Sequence, residues 1–92
     1  MAGGIEGGIG ALTFEVLRPL VDRVARLSED EILEGMRWML ASHQYLIEPT
    51  AAVTVAACLS GKIGKLTNPA VVVISGRNVS AGAVKAILGD GV

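Results

Sequence analysis

The residues best suited to chemistry in this 92-residue chain are Ser75, Gly76, Arg77 and Asn78, which follow directly on the apolar run Ala70-Val71-Val72-Val73-Ile74. A continuous β-branched run predicts a central parallel strand buried on both faces. Ligands in open α/β sheets sit beyond the carboxyl ends of such strands, so residues 75–78 are the first place to expect a binding loop. Taken alone, Ser75 is a turn-forming serine. Glu48, immediately before Pro49, is a second candidate. An acid at that position already suits the positive end of a helix dipole, whatever else it does.

Other chemistries find no support. Gly61-Lys62-Ile63-Gly64-Lys65 lacks the spacing and the final Ser or Thr of a phosphate-binding P-loop. Cys58 and His43 cannot assemble a zinc site between them, and one cysteine closes no intramolecular disulfide. Asn78-Val79-Ser80 fits a glycosylation sequon, but no secretion signal accompanies it. Cys58, in an apolar segment, is expected in the core, and His43 at the end of a helix as a partner of the dipole. Met36, Trp38 and Met39 are expected to pack a core or a neighbouring helix.

The elements that must position these residues follow from periodicity. Five glycines among residues 3–10 predict a loop. Phe14, Val16, Leu17 and Leu20 suggest a short helix over 12–20, with Pro19 awkward near its end. Val21 to Leu27 alternates and predicts a strand, in competition with a helix. Ser28-Glu29-Asp30-Glu31 matches a capping box, and Ile32, Leu33, Met36, Met39, Leu40 and His43 recur at helical spacing behind it. Pro49 opens a second helix, small or apolar on every side through Leu59, which Ser60-Gly61 should stop. Residues 62–69 form a connector, 70–74 the second strand, and 79–88 a terminal helix. The fold class expected is therefore α/β, a partial parallel sheet of two strands joined by a two-helix crossover, with flanking helices.

Composition bounds the function. Ninety-two residues make one small domain at most, able to bury about 60% of the unfolded surface. Half the chain is hydrophobic but only 3% aromatic, so the apolar mass is Ala, Val, Ile and Leu, and charged residues fall to 18%. The chain resembles the interior of something larger. A net charge of −1 without a basic block argues against nucleic acid. No apolar run of membrane-spanning length and no signal peptide is evident, which points to a cytoplasmic setting without membrane partners.

Thr13-Phe14-Glu15, Val21-Asp22-Arg23-Val24, Ser28-Glu29-Asp30-Glu31-Ile32, Ile47-Glu48-Pro49 through Ser60-Gly61, and Val71-Val72-Val73-Ile74-Ser75-Gly76-Arg77-Asn78 stand in a particular order and spacing. That series resembles the carboxyl-terminal third of the pyridoxal 5'-phosphate (PLP)-dependent threonine/serine dehydratase family, the fold-type II enzymes that include serine racemases and hydroxyaspartate ammonia-lyases. The resemblance implies PLP as cofactor and a portion of the large catalytic domain over residues 12–92, preceded by the glycine-rich loop of residues 1–11. It assigns cofactor binding to Ser75, Gly76 and Asn78, which match the family's Ser-Gly-Gly-Asn loop. The Ser75 hydroxyl would meet the pyridine nitrogen. A neutral hydroxyl cannot hold that nitrogen protonated as an Asp would, which weakens the ring as an electron sink. Glu48 resembles a family carboxylate near the ring edge, positioning cofactor or substrate. Arg77 stands where the family usually has its second Gly; it either strains the loop or adds a cation beside the cofactor.

The same resemblance implies what is missing. Lys62, Lys65 and Lys85 lack the context of the family's Schiff-base lysine, and the opening glycines follow no strand and do not imitate its phosphate cradle. No catalytic residue is therefore assigned within this chain, which alone should be inactive and hold PLP weakly. Two readings follow. One is a fragment of a PLP-dependent ammonia-lyase that eliminates water from a small hydroxy amino acid, giving a 2-oxo acid and ammonia. The other is a non-catalytic, self-associating α/β protein derived from that fold. Both predict a homo-oligomer, because two strands make a poor sheet and leave edges uncovered.

Overall fold

Ser28 starts the longest helix. Its hydroxyl accepts from the Glu31 backbone N–H at 3.1 Å, and three acids occupy the first turn. The computed structural model describes residues 1–89, with four helices: α1 (Ala11–Leu17), α2 (Glu29–His43), α3 (Pro49–Leu59) and α4 (Ala81–Leu88). A single 3-10 turn spans Gly3–Ile5. The last three residues of the unit expected over 12–92 lie outside the described residues.

The core is the seam between α2 and α3. Ile32, Met36 and Met39 come from α2, Ala51, Ala52 and Val55 from α3, Ile47 from the link between them and Ile87 from α4. Gly35 permits the close crossing. A Cβ there would stand 3.0 Å from the Ala52 carbonyl oxygen and 3.3 Å from the Ala56 Cβ. The α4 helix is capped by Ser80, whose hydroxyl accepts from the Ala83 N–H at 3.1 Å. Its other end is held by Arg37, which donates through Nε to the Ile87 carbonyl at 2.8 Å. The 3-10 turn reaches α3 through the Gly4 N–H, which donates to Thr50 Oγ1 at 3.0 Å.

Several expectations hold. The α2 cap, Pro49 at the start of α3, and Gly61 at φ +76° just after α3 are where the residue types place them. Others are corrected. The first helix stops at Leu17, before Pro19, whose ring would block a carbonyl of the preceding turn. It buries no residue. The α/β class is also overturned: among the described residues the regular structure is entirely helical, without a strand or parallel sheet. A strand needs a neighbour about 4.8 Å away to complete its ladder. The two runs expected to pair are instead held by other groups. Arg23 in the 21–27 segment donates to the carbonyls of Ile63 and Lys65. In the 70–74 segment the Val73 carbonyl accepts from Thr54 Oγ1 at 2.7 Å. Val71 is 88% and Val73 65% exposed, so the β-branched composition expresses a preference for enclosure that nothing described satisfies.

Packing is correspondingly loose at the periphery. The radius of gyration is 14.4 Å, against about 12 Å for a compact domain of this length. Stability should rest on the α2–α3 seam and the contacts that brace it. One of these is an ion pair between Lys62 Nζ and Glu31 Oε1 at 2.6 Å, which ties the connector after α3 to the first turn of α2.

Two predictions follow. Gly35→Val forces α2 and α3 apart against backbone atoms and should lower stability by about 1–3 kcal/mol in denaturant unfolding; an unchanged midpoint would contradict the seam. The hydrogen bond from Lys62 holds the Glu31 carboxyl below its ordinary value of 4.5, with partial burial pulling the other way. A lowered folded-state pKa stabilises above the unfolded value and loses that contribution as pH falls through the folded one. The wild-type chain should therefore lose stability below about pH 4.5 more steeply than Glu31→Gln, as measured by unfolding midpoints at matched pH.

Candidate functional site

Residues 75–78 are held by Glu48 through two hydrogen bonds. The Glu48 N–H donates to the Gly76 carbonyl at 3.2 Å, and the Asn78 N–H donates to Glu48 Oε1 at 3.3 Å. Glu48 is the N-cap residue of α3, yet its side chain does not cap that helix. The carboxylate reaches across to the loop instead, and a Cβ at Gly76 would overlap Glu48 Oε1. A side chain there would have to displace the carboxylate. The loop then turns, with the Val79 N–H donating to the Arg77 carbonyl at 2.8 Å, and passes into the Ser80 cap of α4. The start of α3 and the start of α4 thus grip it from both sides.

The loop separates two depressions. A groove of about 850 Å³ carries Ser75, Gly76 and Arg77 on its wall, opposite an apolar surface that includes Trp38, Ile47 and Val55. A second depression, of about 620 Å³, contains Glu48 and Asn78 with Thr50 and Ser80. The four residues assigned to cofactor binding are therefore brought together along the chain but divided between two faces, with Gly76 at the boundary. Glu48 reaches the first groove only through the loop it holds.

Arg77 is unstrained, because Gln44, at φ 56°, is the non-glycine residue found in the left-handed region among those described. The backbone strain considered for Arg77 is therefore not seen. Cys58 is exposed and lines the first groove, so its expected place in the core is corrected. Met36 and Met39 are buried as expected, whereas Trp38 lies on the groove wall in edge-to-face contact with His43, their centroids 4.8 Å apart. Trp38 was separable in principle, since it falls off the three-and-four spacing that joins Ile32, Met36 and Met39. The Ser80 cap was visible as a Ser before a helix, and the left-handed Gln44 had no signal.

Tested as a seat for PLP, the first groove offers the neutral Ser75 hydroxyl, suited to a pyridine nitrogen, on a largely apolar wall that also carries His43, Tyr45 and Arg77. Lys62, Lys65 and Lys85 line neither depression, and Lys62 is engaged by Glu31. The residues fit one edge of the cofactor and supply nothing for its aldehyde. Among the described residues there is no group of three or more His, Cys, Asp or Glu placed to hold a metal, and no helix long and apolar enough to cross a membrane.

The chain is similar to known proteins over most of its length. The family described as pyridoxal-phosphate dependent enzyme matches residues 1–76. A catabolic L-threonine dehydratase of Escherichia coli is 37% identical over 82 residues, covering 87% of this chain and 25% of its own. A serine racemase of Arabidopsis thaliana is 35% identical over 91 residues, covering 91% of this chain and 27% of its own. Human serine racemase is 39% identical over 83 residues, covering 86% and 24% respectively. The chain thus spans about a quarter of the length of these curated relatives. No solved structure matches.

The Glu48 bridge makes a specific prediction. Glu48→Ala removes the acceptor of the Asn78 N–H, so amide exchange at Asn78 should accelerate about tenfold while the Ser80-capped turn of α4 keeps its protection. Gly76→Ala should do the same by displacing the carboxylate. Unchanged exchange at Asn78 in both variants would show that Glu48 does not hold the loop.

Proposed function

Because the chain belongs to the pyridoxal-phosphate dependent enzymes, we propose that it forms the carboxyl-terminal wall of the cofactor site in a threonine/serine dehydratase-like ammonia-lyase. The observation that carries this reading is the Glu48 bridge, which holds Ser75 against an apolar groove while the carboxylate itself stays on the other face. PLP, when bound, supplies the electron sink that acidifies the Cα of a small hydroxy amino acid, so that the β-hydroxyl leaves as water and hydrolysis yields a 2-oxo acid and ammonia.

The chain's own residues have narrower tasks. Ser75 donates its hydroxyl to the ring nitrogen and leaves that nitrogen uncharged. Glu48 and Gly76 fix the backbone that carries Ser75, and the Asn78 N–H anchors the far side of the loop. The apolar walls exclude water from around the ring, which strengthens the Ser75 hydrogen bond. With no lysine on the groove, the chain by itself neither retains PLP tightly nor turns over substrate. A second reading, a non-catalytic self-associating protein, draws support from the exposure of Val71 and Val73, a surface that association would cover.

Reduction with borohydride in the presence of PLP should label Lys65 and Lys85 of the isolated chain without preference, and Lys62, paired with Glu31, no more than these. Selective labelling of one would reveal a Schiff-base site and overturn the assignment. Exchanged for the matching segment of the Escherichia coli L-threonine dehydratase, the chain should support loss of water from threonine, with Ser75→Ala reducing cofactor affinity or rate about tenfold. A cofactor-loaded chimaera whose kinetics ignore that substitution would remove Ser75 from the site.

A further inference from the structure

Successive residues of the 75–78 loop face opposite ways. The Cβ direction of Gly76 and the N–H of Asn78 point to Glu48, whereas Ser75 and Arg77 line the large groove. Such alternation is what near-extended backbone produces. It places the Arg77 guanidinium in the same groove as the Ser75 hydroxyl, in a setting with unusual charge balance. The groove wall includes no aspartate or glutamate. The ion pairs among the described residues use Glu29, Asp22, Glu34 and Glu31, none of them with Arg77. Glu48, the acid nearest in sequence, turns its carboxylate to the Asn78 N–H behind the loop.

A guanidinium that makes no ion pair among the described residues, at an apolar groove, is complemented by a small anion with an apolar body. The groove, at about 850 Å³, falls within the range of small-molecule sites. The Arg fork matches a carboxylate through two parallel hydrogen bonds. His43, Tyr45, Ser75 and Arg77 all line the groove, and of these the guanidinium offers the paired donors that match a carboxylate. We propose that this groove is a binding site for small organic carboxylates, with Arg77 engaging the carboxylate and the surface formed by Trp38, Ile47 and Val55 taking the apolar body. The site shares its groove with the ring seat of the proposed function but uses Arg77 and requires neither the cofactor nor a lysine, so it is tested with PLP left out.

Trp38 is the single tryptophan of the chain and lies on the groove wall, so its fluorescence reports occupancy directly. The test titrates the 92-residue chain, without PLP, with 3-phenylpropionate, with the neutral 3-phenylpropanamide, and with acetate. The carboxylate should bind at least about tenfold more tightly than the amide, and acetate should fail to saturate because it lacks the apolar body. In Arg77→Gly the advantage of carboxylate over amide should disappear, and in Arg77→Lys part of it should remain. Equal binding of carboxylate and amide to the wild type overturns the proposal without any variant. A preference for carboxylate that survives in Arg77→Gly, or the absence of a saturable Trp38 response, overturns it equally.

Discussion

The loop that carries the candidate site depends on one residue, Glu48, doing with its backbone and side chain what a strand neighbour would otherwise do. Its N–H fastens the Gly76 carbonyl and its carboxylate fastens the Asn78 N–H, on two successive outward turns of the same short segment. Each bond alone is modest, about 1 kcal/mol for a neutral pair and somewhat more for the charged acceptor. Together they set which face each loop residue presents. Without them Ser75 and Arg77 have no reason to share a groove. Glycine at position 76 suits the same bridge, because the carboxylate occupies the space a side chain would take.

Glu48 can act in this way because α3 is itself rigidly placed. The helix begins at Pro49 and is packed along α2 through small residues, Gly35, Ala52 and Ala56 among them, so its first turn is a fixed platform. Thr54, one turn on, accepts a further share of the work by donating to the Val73 carbonyl and holding the segment that leads into the loop. The site is thus built on the best-packed part of the chain. A poorly packed part, from Val71 to Ile74, lies immediately beside it. A wall of this kind is complete in its backbone positioning and incomplete in its enclosure, which agrees with a chain matching about a quarter of the length of its relatives.

What could be recognised in the sequence was local. Ser28 with Glu31, Pro49 after Glu48, and Gly61 after Leu59 each act within one turn of backbone, and the helices they bound are present. The family was legible too, because its motifs are read as residue order and do not need the fold to be complete. The sheet failed for the opposite reason. β-branched residues in 70–74 register a tendency to be enclosed, but pairing is a property of two segments, and no neighbour is described alongside this one. Cys58 was misplaced by a similar step, since an all-apolar helix was taken as enclosed on every side when only the face carrying Ala51, Ala52, Val55 and Ala56 is buried. The division of Ser75 from Glu48 across two faces was not legible at all, because it depends on a carboxylate crossing between segments thirty residues apart.

The central claim is that Ser75, and not the Glu48 side of the loop, faces a cofactor ring. The most direct measurement is a nitrogen-15 amide shift titration of the chain with 3-hydroxypyridine, a ring bearing the nitrogen and hydroxyl without phosphate or aldehyde. Shifts at Ser75 and Gly76 together with the Trp38 indole, with Thr50, Ser80 and Gly82 unmoved, are the predicted result. Shifts confined to Thr50, Ser80 and Gly82 on the opposite face, or none at any concentration of the ring, would contradict it.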